Sequence, residues 1–219
     1  MKKILNLQLL AFRLVIIVVP LLAFTTTTKL SPKEPATITD CVYTYILEAE
    51  DGLFTVSILS NQTINPPYHT TATAQVTLKV PTGKFEVTNL ENLIEGVEFS
   101  QNGRSNAPNE DAAYDYIVFG LASFGTRNIR YQKDGTIPLF SFKNGGDCTG
   151  QPITLMENFT DPFYPPNSER ANVSQQITVA KTGADLSIVC IDSNAISDCG
   201  EKLSKKDLKR LERAKNSEE

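Results

Sequence analysis

From residue 71 to residue 80 the chain alternates. Ala72, Ala74, Val76, Leu78 and Val80 fall on one side of an extended backbone, and Thr73, Gln75, Thr77 and Lys79 fall on the other. A period of two is the geometry of a strand, whose successive side chains point to opposite faces. One apolar and one polar face predict an antiparallel strand that packs on a core and turns its back to water. Pro81-Thr82-Gly83 ends the run with turn chemistry. The same grammar recurs along the body. Val42–Ala49 and Leu53–Leu59 flank Glu50-Asp51-Gly52, and Asp-Gly between β-rich runs predicts a hairpin. Phe85–Leu90, Val97–Ser100, Thr136–Lys143, Ile153–Glu157, Gln176–Val179 and Leu186–Ile191 are further strand candidates. Tyr116–Ala122 is apolar on both faces, so it is expected in the middle of a sheet. Roughly nine to eleven short strands with turn-punctuated spacing predict an all-β antiparallel sandwich.

The N-terminus is of another kind. Met1-Lys2-Lys3 is followed by Ile4 to Phe12, Arg13, and an apolar run from Leu14 to Phe24. A basic start and a short apolar stretch read as an export signal, with an uncleaved membrane anchor as the alternative. Leu14–Phe24 is short of the roughly 20 apolar residues that a span needs, and extending it back to Ile4 buries Arg13. Residues 1–27 are therefore taken as signal peptide or anchor, 28–39 as a polar linker, 40–192 as the sandwich, and 193–219 as a polar tail with a short helix capped by Ser204. The whole chain carries a formal charge of -4. The last 19 residues hold seven Lys/Arg against five Asp/Glu, and residues 28–200 come to about -9. An acidic body excludes a general nucleic-acid binder, whose affinity would rest on neutralised phosphates. A single histidine, His69, excludes multi-His metal sites and is read as a surface-loop residue. Export makes disulfides the default state of Cys41, Cys148, Cys190 and Cys199, with three connectivities open.

Two irregular stretches interrupt the strands, 101–113 and 158–172, and long loops on a rigid scaffold are where recognition concentrates. In the second, Asp161-Pro162-Phe163-Tyr164-Pro165-Pro166 restricts its own backbone, so Phe163 and Tyr164 are candidates for a rigid aromatic platform. The alternative is that both rings pack down and anchor the loop. Asp161, Tyr114 and Asp115 complete the set of candidate binding residues. Glu110, Asp111 and Asp115, with Asn102, Asn106 and Asn109, make an oxygen-rich stretch of the kind that holds Ca²⁺ outside cells. Their spacing matches no EF-hand, and solvated carboxylates are the expectation, so no metal is assigned. No catalytic residue and no cofactor are assigned either.

Four segments together carry a resemblance: TAQVTLKVPTG (73–83), SNAPNEDAAYDYIVFGL (105–121), PLFSFKNGGDCTG (138–150) and FTDPFYPPNS (159–168). They resemble a module of exported, often multidomain surface proteins of the Bacteroidota. In strand layout that module is similar to cohesin and carbohydrate-binding β-sandwiches. The resemblance covers about residues 40–192, and it implies a cohesin-like or immunoglobulin-like jelly-roll layout and no particular activity. The expectation is a secreted or cell-surface, non-catalytic interaction or adhesion module. Its partner would be a protein or a glycan at the cell surface, not nucleic acid, with the membrane touched only through an uncleaved leader. The alternatives are a carbohydrate-binding module of a polysaccharide-processing system and a secreted hydrolase with a carboxylate site.

Overall fold

The computed structural model describes residues 41–122, 125–180, 189–192 and 195–215. The expected leader, the linker and residues 186–188 of the last expected strand lie outside the described residues. The described residues form eleven strands and one helix: β1 (Tyr43–Glu50), β2 (Leu53–Ser60), β3 (Thr70–Pro81), β4 (Val87–Asn92), β5 (Phe99–Ser105), β6 (Tyr114–Leu121), β7 (Gly135–Asn144), β8 (Pro152–Leu155), β9 (Gln176–Ala180), β10 (Val189–Ile191), β11 (Ile196–Ser197) and α1 (Lys205–Lys215). A five-stranded sheet runs β10-β1-β2-β7-β4, and a second sheet runs β11-β8-β3-β6-β5 with β9 also on β3. All the pairings are antiparallel except β1 with β10. The long β3 takes two short partners on one edge, β9 along residues 70–75 and β8 at Leu78 and Lys79.

The β1–β2 hairpin follows from its two turn residues. Asp51 and Gly52 both have positive φ, 50° and 75°, the backbone that matches the twist of the flanking strands, and Glu50 pairs with Leu53 across the turn. The two sheets meet through their aromatic faces. Phe54 and Phe142 of the first sheet stack at 5.3 Å, and Phe119 of the second lies 5.7 Å from Phe142 and 4.9 Å from Phe140. Phe99 of the second sheet closes on Phe140 at 5.0 Å. This interdigitation, extended by Val56, Ile58, Val76, Leu78, Val80 and Ile117, is the core of a β-sandwich. Disulfides join Cys41 to Cys190 and Cys148 to Cys199.

Three expectations need correction. On the outer face of β3 Thr73 turns to water as expected, but Thr77 is fully buried and Gln75 and Lys79 are half-buried, because residues 156–175 lie across them. A second apolar cluster of Tyr116, Val118, Met156, Phe163 and Val173 fills that contact. The stretch 101–113 is not a loop throughout, since residues 101–105 belong to edge strand β5, with a register shift at Gln101/Gly103. His69 is not at the surface. It is buried, and its Nε2 lies 2.9 Å from the Arg130 guanidinium.

Candidate functional site

The segment 158–172 forms a strap over the outer face of β3 and β6, and side-chain amides set its path. Buried Gln175 donates to the carbonyls of Thr77 (2.7 Å) and Met156 (3.0 Å) and accepts from the Thr77 amide (2.9 Å). Asn158 donates to the Gln175 carbonyl at 2.9 Å and accepts from the Gln175 amide at 2.8 Å, so the two ends of the strap are tied together. Asn167 does the same inside it, donating to the carbonyls of Phe163 and Ala171 and accepting from the Ala171 amide, each at 2.9 Å. Each amide replaces a ladder that an irregular backbone cannot make.

A polar clasp fixes the middle of the strap. Asp161 accepts from the Phe163 amide (2.9 Å), the Tyr116 hydroxyl (2.7 Å) and the Lys79 ammonium (3.0 Å). Asp111, from the opposite loop, accepts from the same Tyr116 hydroxyl at 2.8 Å and pairs with the same Lys79. The ammonium also sits 4.7 Å from the centre of the Tyr114 ring. Burial works to lower the Lys79 pKa, but hydrogen bonds and charge from Asp111 and Asp161 outweigh it, and the net shift is upward. Tyr116 is pushed far upward, first by burial and then by the two carboxylates. Lys79 is thus held as the ammonium and Tyr116 as the phenol, so neither is a base or a nucleophile near neutral pH.

The other acids go separate ways. Glu110 accepts from the Ser168 amide (2.6 Å) and hydroxyl (2.9 Å), and the backbone hydrogen bond first of all holds its carboxyl below the ordinary value. Asp115 is buried and accepts from the Gly83 amide (3.0 Å), the Arg104 guanidinium (2.6 Å) and the Ala107 amide (2.9 Å). Glu110, Asp111 and Asp115 therefore do not converge on a shared cation position. Among the described residues, one His/Cys/Asp/Glu group does converge, Cys148, Asp198 and Cys199. Its sulfurs form a disulfide, and its carboxylate is occupied by the Thr149 amide and hydroxyl and the Gly150 amide.

What the strap presents to solvent differs from what its sequence offers. Phe163 is fully buried, with its ring 4.8 Å from Tyr116. Asp115 and Asp161 are turned inward on the contacts above. Tyr114 and Tyr164 are half-buried. The exposed ring is Phe159, 53% accessible and 4.9 Å from the Tyr164 ring. Its φ is +72°, a left-handed backbone that bulky side chains avoid. The sequence reading missed this residue. The available signal was an aromatic side chain directly after Asn158 and outside any strand period. Below the clasp, a recess of about 360 Å³ is bounded by Lys79, Thr154, Glu157, Thr160 and Pro162.

No family model matches the chain, and no curated protein matches it. A chain of a solved structure, described as a CaDoc0917–CaCohA2 complex, is similar at 10% identity with a TM-score of 0.37, over 71% of this chain and 98% of that one. The sandwich assignment rests on the two sheets themselves. Among the described residues no helix is long and apolar enough to cross a membrane.

Proposed function

We propose that the protein is a non-catalytic interaction module that works outside the cytosol, at the cell surface or beyond it, and that the strap is its recognising surface. The observation that carries this reading is Phe159. A large apolar ring is held in solvent on an unfavourable backbone conformation, by a segment tied down on either side of it at Asn158, Asp161, Phe163 and Asn167. Strain retained at an exposed position marks a functional constraint rather than a packing one. Beside it, Tyr164 adds a second ring with a polar tip, and the pair offers a pre-ordered aromatic patch that loses little entropy on binding. Two disulfides support a location in an oxidising compartment. The resemblance to surface modules of the Bacteroidota agrees with adhesion, matrix attachment or scaffolding as the role.

A protein partner is the reading preferred here. Pull-down from cell envelope with the wild-type chain and with Phe159→Ala/Tyr164→Ala tests it: a partner retained by the first and lost by the second supports it. A glycan array in which the wild type binds and the double variant does not would move the assignment to a carbohydrate-binding module. Turnover of a polysaccharide or peptide by the purified chain would overturn the non-catalytic reading.

A further inference from the structure

The outer faces of the two sheets differ. The strap covers one. The face built by β1, β2 and β7 is an open groove of about 910 Å³ whose walls include Glu48, Glu50, Asp51, Leu53 and Pro138. The three carboxylates are exposed, and none has an ion-pair partner among the described residues. Among the described residues of the lining the single cation is Lys143, so they make the groove acidic. Leu53, 39% accessible, gives it an apolar spot.

The helix α1 has the complementary chemistry. Lys205, Lys206, Lys209, Arg210 and Arg213 are all exposed and without an ion pair among the described residues. Leu208 and Leu211, three residues apart, share a side and are half-buried. A reciprocal cap starts the helix: the Ser204 amide donates to the Asp207 carboxylate at 3.1 Å and the Asp207 amide donates to Ser204 Oγ at 3.3 Å. Eleven residues with a cap remain marginal as an isolated helix, and a docking surface would supply the missing stability. The sizes agree. The helix is about 16 Å long and about 10 Å across, while β1 and β2 extend about 26 Å and three adjacent strands cover about 10 Å.

The helix does not lie in its own groove. Its root is held on the six-stranded sheet, where Lys202 bridges Ile196 of β11 and the Leu203 amide donates to the Ala195 carbonyl at 3.4 Å, and among the described residues none of α1 lines the groove. A second copy is free of that tether. We propose that α1 of one molecule docks in the acidic groove of the next, so that copies of this chain associate head to tail. Groove and helix are different patches, so the contact is heterologous. Repeating it gives an open row of modules unless the rotation closes a ring. The attraction is between exposed charges and therefore falls as salt screens it.

Sedimentation velocity of the purified chain over a range of concentrations tests this, at about 0.01 M and about 1 M salt, where the screening length is about 30 Å and about 3 Å. The expected result is a sedimentation coefficient that climbs with concentration at low salt and stays at the monomer value at high salt. Lys205→Glu/Lys209→Glu/Arg213→Glu and, separately, Glu48→Lys/Glu50→Lys each hold the chain monomeric. Mixing the two variants restores association, because a reversed helix then meets a reversed groove. A chain ending at Leu203 reaches the same loss without any charge reversal. Phe159→Ala associates like the wild type, which keeps this contact separate from the strap. A chain that is monomeric at low salt throughout, or association that survives high salt or either set of reversals, overturns the proposal.

Discussion

Phe159 and Phe163 stand four residues apart on one strap and face opposite media. Phe163 is sealed against Tyr116, Met156 and Val173, and Phe163→Ala should lower unfolding stability by about 3–5 kcal/mol, the usual result of emptying a buried aromatic site. Phe159 buries little and pays a backbone penalty, so the opposite sign is expected there. Phe159→Gly places the one residue indifferent to φ +72° at that position and should leave stability unchanged or raise it by about 1 kcal/mol, while removing partner binding. Chemical denaturation of both variants checks the pair. Comparable losses at the two positions would mean that Phe159 is also an anchor, and the platform reading would fall. The two residues look alike in the sequence because both are phenylalanines in one irregular stretch, outside any strand period. What separates them is which one lands on Tyr116.

At the scale of elements, the strands were legible and the strap was not. Alternation in residues 71–80 and the Asp51-Gly52 turn are local signals, and β1, β2 and β3 fall within a residue of where the pattern places them. Edge strand β5 was expected only as Val97–Ser100, and its continuation to Ser105 escaped because Gln101, Asn102, Gly103 and Arg104 carry no apolar period, so that the ladder to β6 alone makes them a strand. β11 has two residues and no period to read. The covering of the β3 outer face was invisible for a deeper reason. It depends on contacts across nearly a hundred residues, such as Gln175 to Thr77, and Thr77 looks the same whether water or an amide lies above it. The disulfide pairing was open on the same ground, for Cys190 is nearer in sequence to Cys199 than to Cys41. Gln175→Ala measures how much the strap relies on that long-range contact. It leaves the amide and carbonyl of Thr77 and the carbonyl of Met156 without their side-chain partner in a buried place, and a loss of about 3 kcal/mol is expected, with faster proteolysis inside 158–172. Wild-type stability and unchanged cleavage would show that the apolar cluster holds the strap unaided.

The whole molecule is closed by its covalent links and tuned by its tyrosines. The Cys41–Cys190 bridge spans 149 residues and Cys148–Cys199 spans 51, and loop-closure entropy assigns them about 5 and about 4 kcal/mol. Native material should therefore take up no alkylating reagent before reduction, and peptide mapping should return these two pairs. Four reactive thiols in the native protein would contradict both the pairing and the compartment. The pH response follows from groups that share one sign. Burial pushes the Tyr43 phenol up to about 12, against a smaller lowering by Gln62. It also pushes Tyr45 and Tyr131 upward in the core, and burial with Asp161 and Asp111 pushes Tyr116 upward in the clasp. A phenol whose pKa is higher folded than unfolded contributes stability that is complete below the unfolded value of about 10 and is lost as pH climbs toward the folded value. Lys79, whose net shift is also upward, behaves the same way about its ordinary 10.5. Core and clasp therefore weaken together on the alkaline side. The denaturation midpoint should hold level between roughly pH 7 and pH 9 and drop steeply above about pH 10, with a late phase of phenolate absorbance that coincides with unfolding. In Tyr116→Phe the clasp loses its phenol, so the alkaline drop should be shallower, while stability near neutral pH is lower because two carboxylates lose a shared donor. A midpoint that stays level beyond pH 11, or an alkaline drop indifferent to Tyr116→Phe, would remove the clasp from the account of how this sandwich keeps its strap.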